Sequence, residues 1–356
     1  MRKFVHVVGA RPNFMKLAPV YRALAQRDGV QQIILHTGQH YDYNMSDVFF
    51  QQLGIPQPDV NLKVGSGTHA QQTAEVMVRF EAAMLEQKPD CVLVYGDVNS
   101  TVAAAMVCAK LLIPLAHVEA GLRSGDKTMP EEVNRVVTDR LADLLFTPSI
   151  DGNENLAKEG VPQERVHLVG NVMIDTLIDM MPAAQKIDLD HLPSNFILTT
   201  LHRPANVDDV AWLSGMIDLL ERVSMMTPVV LPLHPRTRER LNSNNISLDR
   251  GPNFHVLEPR PYLEFLALQL RAKAVVTDSG GVQEETTYLG IPCLTMRDNT
   301  ERPVTISEGT NVLVGRDLDR LNVELEKVIA GRSKPYSVPQ FWDGMASHRI
   351  AQVLTQ

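Results

Sequence analysis

Between Gly96 and Arg135 the chain sets acids at points where a parallel sheet would present them to a ligand. Two apolar runs, Cys91–Tyr95 and Leu115–Val118, read as strands, and the acids Asp97 and Glu119 follow their ends. A third acid, Glu131, opens a helix in P-E-E-V-N-R, with Arg135 one turn later on the same face. In an open parallel sheet the carboxyl ends of the strands line the ligand crevice. Carboxylates gathered there raise one another's pKa, so such a cluster calls for partners or for a proton-transfer task. Each acid also has a plainer reading. Asp97 would cap the helix starting at Asn99–Thr101, Glu119 would pair with Arg123, and Glu131–Arg135 would be a surface ion pair.

Two other stretches suit an anion. In Gly9-Ala-Arg-Pro-Asn-Phe-Met-Lys16 a strand ends in glycine, and Arg11 and Lys16 bracket the start of a helix. Helix N-terminal amides with two cations fit a phosphate or diphosphate. In Thr277-Asp-Ser-Gly-Gly-Val-Gln-Glu-Glu285 a strand runs into Ser279, Gly280 and Gly281, whose amides can approach an anion closely, and Glu285 is placed to accept from ribose hydroxyls. His202 and His234 end neighbouring strands in L-H-R-P and L-H-P-R, which favours ligand contact over a capping role. His117, just before Glu119, reads as packed or bonded to backbone. No H-x-E-H or C-x-x-C grouping is present, so no metal site is expected. Gly65-Ser-Gly-Thr-His-Ala70 fits a dinucleotide fingerprint, but it follows a short polar strand and is set aside.

The elements that must position these residues alternate strand and helix along 356 residues, enough for two α/β domains. The expected fold is α/β, with two doubly wound Rossmann-like domains facing a cleft. An N-terminal domain over 1–171 carries the acids and a C-terminal domain covers 172–344, with a last helix at about 345–356 packing back on the first. Helix one is read from about Phe14 with Asn13 as its N-cap. The net charge of −8 does not suggest a nucleic-acid surface, although it leaves room for a local basic pocket, and no run is long enough to span a membrane. Cys91, Cys108 and Cys293 read as buried thiols of a reducing compartment, so a cytoplasmic protein is expected.

At these residues the chain resembles the non-hydrolysing UDP-N-acetylglucosamine 2-epimerases over nearly all its length. The motifs are G-A-R-P-N-F-M-K at 9–16, T-G-Q-H at 37–40, G-D-V-N-S-T at 96–101, H-V-E-A-G-L-R-S-G-D at 117–126, P-E-E-V-N-R at 130–135, L-H-R-P at 201–204, T-D-S-G-G-V-Q-E-E at 277–285 and M-R-D-N-T-E-R-P at 296–303. The resemblance implies the two-domain glycosyltransferase-B fold, a homodimer, and interconversion of UDP-GlcNAc and UDP-ManNAc without metal or nicotinamide. It implies elimination of UDP to 2-acetamidoglucal and re-addition, with proton transfer on opposite faces of the sugar. Carried over residue by residue, Asp97, Glu119, Glu131 and His202 match catalytic groups. Arg11, Lys16, Ser279, Gly280 and Gly281 match positions around the diphosphate, Glu285 the ribose contact, and His234 a position lining the cleft. Arg135 and Arg302 are expected as further anion contacts.

The chain departs from many bacterial members at Asn13, at Gln39-His40-Tyr41-Asp42 and at Arg203-Pro204. The last two regions help form an activating UDP-GlcNAc site in those members, so weakened or absent activation is expected. Three readings compete with the epimerase: a hydrolysing relative releasing ManNAc and UDP, a glycosyltransferase of the same fold, and a nucleotide-sugar sensor.

Overall fold

In a computed structural model of the chain the short apolar runs become strands buried on both faces, as a parallel sheet covered by helices requires. The structure describes residues 1–38 and 47–356, and only the backbone of 47–49. The first strands are β1 (Arg2–Val8), β2 (Val30–His36), β3 (Val60–Asn61), β4 (Cys91–Tyr95), β5 (Leu115–Val118), β6 (Leu144–Thr147) and β7 (Val166–Leu168). They form one sheet in the order β3-β2-β1-β4-β5-β6-β7. The remaining strands are β8 (Phe196–Thr200), β9 (Val229–Pro232), β10 (Phe254–Leu257), β11 (Ala272–Thr277), β12 (Cys293–Thr295) and β13 (Asn311–Leu313). Their order is β10-β9-β8-β11-β12-β13, and the pairings in both sheets are parallel.

Each order reverses once, at β1/β4 in the first sheet and at β8/β11 in the second, and such a reversal opens the crevice where open α/β sheets bind ligands. The register then decides what stands there. Tyr95 pairs with Val118, so Gly96-Asp97 and Glu119 leave the sheet side by side. Thr277 pairs with Thr200, so Asp278-Ser279 and Leu201-His202 do the same in the second sheet.

Both faces of the second sheet are packed. Ile197, Val229, Leu231, Ala274 and Val276 enter one core, while Leu198, Val230 and Val275 enter the other. In the first unit Val76, Phe80 and Met84, spaced one helical turn apart on helix His69–Gln87, bury against Val5, Val92 and Val94. Each such side chain contributes roughly 1.5–3 kcal/mol by leaving water.

The contacts divide the chain into Met1–Thr176 with Gln340–Gln356, and Leu177–Pro339. This boundary falls inside helix Val172–Ala184 rather than at its start. The reason is visible in the partners. The Thr176 hydroxyl donates to the Met15 carbonyl at 2.6 Å, and the Asp175 carboxylate accepts the amides of Ala346 and Ser347, capping helix Ala346–Thr355. Leu177 and Ala184 belong instead to a core of the second unit. Trp342 and Arg2 hold the C-terminal segment to the first unit through the Pro148 and Leu354 carbonyls.

The first helix begins at Arg11, earlier than the sequence suggested. Pro12 suits a first turn, where its missing N–H has no partner to lose. Asn13 works from within the helix. Its Oδ1 accepts from the amides of Gly9 and Ala10, and its Nδ2 donates to the Tyr95 carbonyl at 2.8 Å, tying the β1 turn to the end of β4. The set-aside fingerprint at Gly65–Ala70 follows β3, a strand of 2 residues at the sheet edge, and its Thr68 caps helix His69–Gln87. Among the described residues no helix is long and apolar enough to cross a membrane.

Candidate active site

In the first unit every plainer reading of the acids fails. Asp97 does not cap its helix, whose N-cap is Val98. It accepts from the Arg135 guanidinium, 2.5 Å from Nη2 and 3.2 Å from Nε. Its carbonyl accepts from Asn134 Nδ2 at 2.9 Å. Glu119 pairs with Lys16, not with Arg123, and both members are largely buried. Arg123 instead forks onto Glu159 and reaches Asp139. Glu119 also sits at φ +74°, a left-handed conformation worth about 1–3 kcal/mol of strain for a residue with a side chain. Its amide and that of Ala120 both donate to the Phe146 carbonyl, which holds the strained turn.

Helix Pro130–Leu141 corrects one expectation. Glu131 is exposed, and Arg135 turns to Asp97 and to Glu132 rather than to Glu131. The Glu132 carboxylate also accepts from the amides of Ser124 and Gly125 and from the Ser124 hydroxyl. Although burial opposes it, those bonds and Arg135 hold its pKa below the usual carboxylate range. Arg135, expected to meet an anion of the ligand, is thus held between two carboxylates of the protein. A helical-phase count would have found this: Glu132, Arg135 and Asp139 stand at i, i+3 and i+7 on one buried polar stripe.

Gly96 is the floor under the cation–acid pair. A side chain there would put its Cβ 2.8 Å from Lys16 Nζ and 3.3 Å from Glu119 Oε2, and φ is +63°. Arg11 stands at the first position of its helix, partly buried.

In the second unit His202 and His234 lie 5.5 Å apart by ring centroid. His202 is oriented by Asp278, a wholly buried carboxylate 2.9 Å from its Nδ1. Asp278 also accepts from the His202 and Arg203 amides and from Asn206 Nδ2. Burial would raise its pKa, but His202 and these donors bring it below the ordinary value. A carboxylate can only accept, so Nδ1 of His202 carries the proton and Nε2 is left for other work. His234 caps helix Pro235–Ser243 through its Nδ1, which accepts from the Arg236 amide, and burial followed by His202 lowers its pKa.

Ser279 is the N-cap of helix Gly280–Leu289, with Gly280 and Gly281 in its first turn. A Cβ on Gly281 would meet nothing within 4 Å, so no packing contact demands glycine there. Gly280 has a second reason to be glycine: a Cβ would lie 2.7 Å from Arg302 Nη1. Two expected ligand contacts are satisfied within the protein. Arg302 pairs with Glu284 and Glu301, and Glu301 in turn with Arg297. Glu285 is buried and accepts from Tyr262 Oη at 2.9 Å and Gln269 Nε2 at 2.6 Å, and burial raises its pKa. Asp278 and Glu284 were missed from sequence because His202 and Arg302 reach them only in the folded chain, whereas Glu301 was missed although Arg297 and Arg302 are its sequence neighbours.

Burial pushes the thiols of Cys91 up to about 12 and Cys293 up to about 11, so neither is a thiolate nucleophile. Among the described residues no group of three His, Cys, Asp or Glu side chains is arranged for a metal ion. Gln39–Asp42, part of the departure noted above, lie outside the described residues. Pro204 opens helix Pro204–Val207, with Arg203 as its N-cap.

The family described as UDP-N-acetylglucosamine 2-epimerase matches residues 22–355. The UDP-N-acetylglucosamine 2-epimerase of Methanocaldococcus jannaschii is 39% identical over 360 residues, covering 98% of each chain. The UDP-2,3-diacetamido-2,3-dideoxy-D-glucuronate 2-epimerase of Pseudomonas aeruginosa is 42% identical, covering 99% of each. The crystal structure of the M. jannaschii enzyme with UDP-GlcNAc and UDP superposes with a TM-score of 0.89, covering 99% of each chain. By motif, by match over nearly its whole length and by fold, the chain belongs to the UDP-N-acetylglucosamine 2-epimerase family.

Proposed function

We propose that the protein epimerises UDP-N-acetylglucosamine to UDP-N-acetylmannosamine at carbon 2, reversibly, as a cytoplasmic homodimer with no metal or nicotinamide cofactor. One observation carries the chemistry. Asp97 and Glu119 stand at adjacent strand ends at a sheet reversal, each held by a cation of its own, Arg135 and Lys16. Carbon 2 of the substrate has no neighbouring carbonyl, so its proton is hard to remove directly. Loss of UDP solves this. A carboxylate takes the carbon 2 proton, the bond from carbon 1 to the diphosphate oxygen breaks, and a double bond forms between carbons 1 and 2. Return of the diphosphate oxygen to carbon 1, with a proton delivered to the other face of carbon 2, completes the epimerisation. The acids Asp97, Glu119 and Glu131, together with His202, would transfer or orient these protons. The first turn of helix Gly280–Leu289 and the cations Arg11 and Lys16 would stabilise the departing diphosphate.

Proton NMR with UDP-GlcNAc in deuterated water tests this. UDP-ManNAc carrying deuterium at carbon 2 is the expected product. Free ManNAc and UDP would replace the reading with a hydrolase, and an unchanged spectrum would overturn it. The Pseudomonas relative supports a second reading, in which the sugar is a 2,3-diacetamido-glucuronate. Turnover of that UDP-sugar, with UDP-GlcNAc inert, would select it. Because Asp42 and Pro204 depart from the bacterial pattern, the UDP-GlcNAc dependence should be hyperbolic.

A further inference from the structure

His117 is wholly buried on β5, two residues before Glu119, and has no place in the proton transfers above. Both its ring nitrogens are engaged. Nδ1 lies 2.6 Å from Asp139 Oδ1 and Nε2 lies 2.9 Å from the Gly96 carbonyl. The Gly96 carbonyl can only accept, so Nε2 donates to it, and Nδ1 shares a hydrogen bond with the Asp139 carboxyl. Asp139 continues the chain of bonds. Its Oδ2 accepts from the Gly121 amide at 3.0 Å and from Arg123 Nη1 at 2.7 Å.

These contacts grip the backbone around both candidate acids. Gly96 immediately precedes Asp97, and its amide already donates to the Val118 carbonyl. Gly121 follows Glu119 and Ala120, at φ +82°, with no room for a side chain because a Cβ would lie 2.5 Å from the Gly152 carbonyl oxygen. One imidazole thus joins the turn that carries Asp97 to the strand and the turn that carry Glu119.

We propose that His117 is a positioning residue, which fixes the Asp97 turn relative to Glu119 through its bond to the Gly96 carbonyl. The inference rests on the epimerase reading. Two substitutions separate the nitrogens. Asparagine reproduces the Nδ1 bond to Asp139 and loses Gly96; glutamine reaches the Gly96 carbonyl and loses Asp139. A misplacement of the acids acts on the chemical step, so His117→Asn should lower kcat about 100-fold, with KM within about twofold. His117→Gln should recover kcat to within about fivefold of the unaltered enzyme. Amide exchange followed by mass spectrometry should quicken at residues 96–101 in His117→Asn alone.

Equal kcat in the two variants, or losses that only track the folded fraction, would overturn the proposal. Should His117→Asn not fold, His117→Gln decides: a folded variant with near-normal kcat supports the proposal, and one down about 100-fold overturns it. If the unaltered enzyme exchanges no proton at carbon 2 of either UDP-sugar, the epimerase reading fails on its own. The exchange comparison then still tests the grip, and unchanged rates at residues 96–101 would refute it.

Discussion

Two buried carboxylates each hold a histidine in this molecule, one in each unit. Asp139 meets His117 at 2.6 Å and Asp278 meets His202 at 2.9 Å. Both carboxylates also collect backbone amides, and in both cases bonded partners outweigh burial and depress the carboxyl pKa. The pairs differ at the other ring nitrogen. His117 is wholly buried and spends Nε2 on a carbonyl, whereas the His202 side chain is 38% exposed and its Nε2 faces no bonded protein partner among the described residues. The same dyad therefore spends both ring nitrogens inside the protein in one unit and only one in the other. What the second nitrogen faces decides the role.

Breaking the buried pair should cost most. Asp139→Ala would leave His117 Nδ1 and the Gly121 amide without their acceptor, while Arg123 keeps Glu159, and urea unfolding should show a loss of about 3–5 kcal/mol. The sign with pH follows from the depressed carboxyl. The stability it supplies is present above the unfolded value of about 3.9 and is lost as pH falls through the lower folded pKa, so the variant should lose part of that acid dependence.

The open pair should break differently. Asparagine at 202 keeps a donor toward Asp278 and removes only Nε2. His202→Asn is thus expected to lower kcat about 100-fold or more, while unfolding free energy stays within about 0.5 kcal/mol. A large stability loss without a kinetic one would reverse the contrast drawn here.

The smallest effects sharpen the distinction between neighbours on one helix. Glu132→Gln disturbs a carboxylate bonded to Arg135, Ser124 and Gly125 and should cost about 1–3 kcal/mol. Exposed Glu131→Gln should change stability by less than about 0.5 kcal/mol, and any loss of turnover in it would come from chemistry alone.

Much of this architecture was legible without coordinates. Apolar runs of a few residues, separated by helical periods, can satisfy their backbone and bury both faces only as parallel sheets under helices. The ends of those runs already named Asp97, Glu119, His202 and Ser279 as residues at strand termini, because local pattern fixes where a strand stops. The motifs fixed the family for the same reason: ordered matches along one chain need no geometry.

Pairing was another matter. Lys16 meeting Glu119 spans 103 positions, and Asp278 reaches His202 across 76. Such contacts depend on strand order and register, which bring distant segments together only after the sheet has formed. Packing also chose Glu132 over Glu131, turned Arg302 toward Glu284 and Glu301, and closed Glu285 against Tyr262 and Gln269. The sequence by itself determined which chemical groups stand at the ends of the strands. Only the tertiary structure decided which of them are bound to one another and which keep an atom for a ligand, since a buried charge takes whichever partner the fold brings within reach.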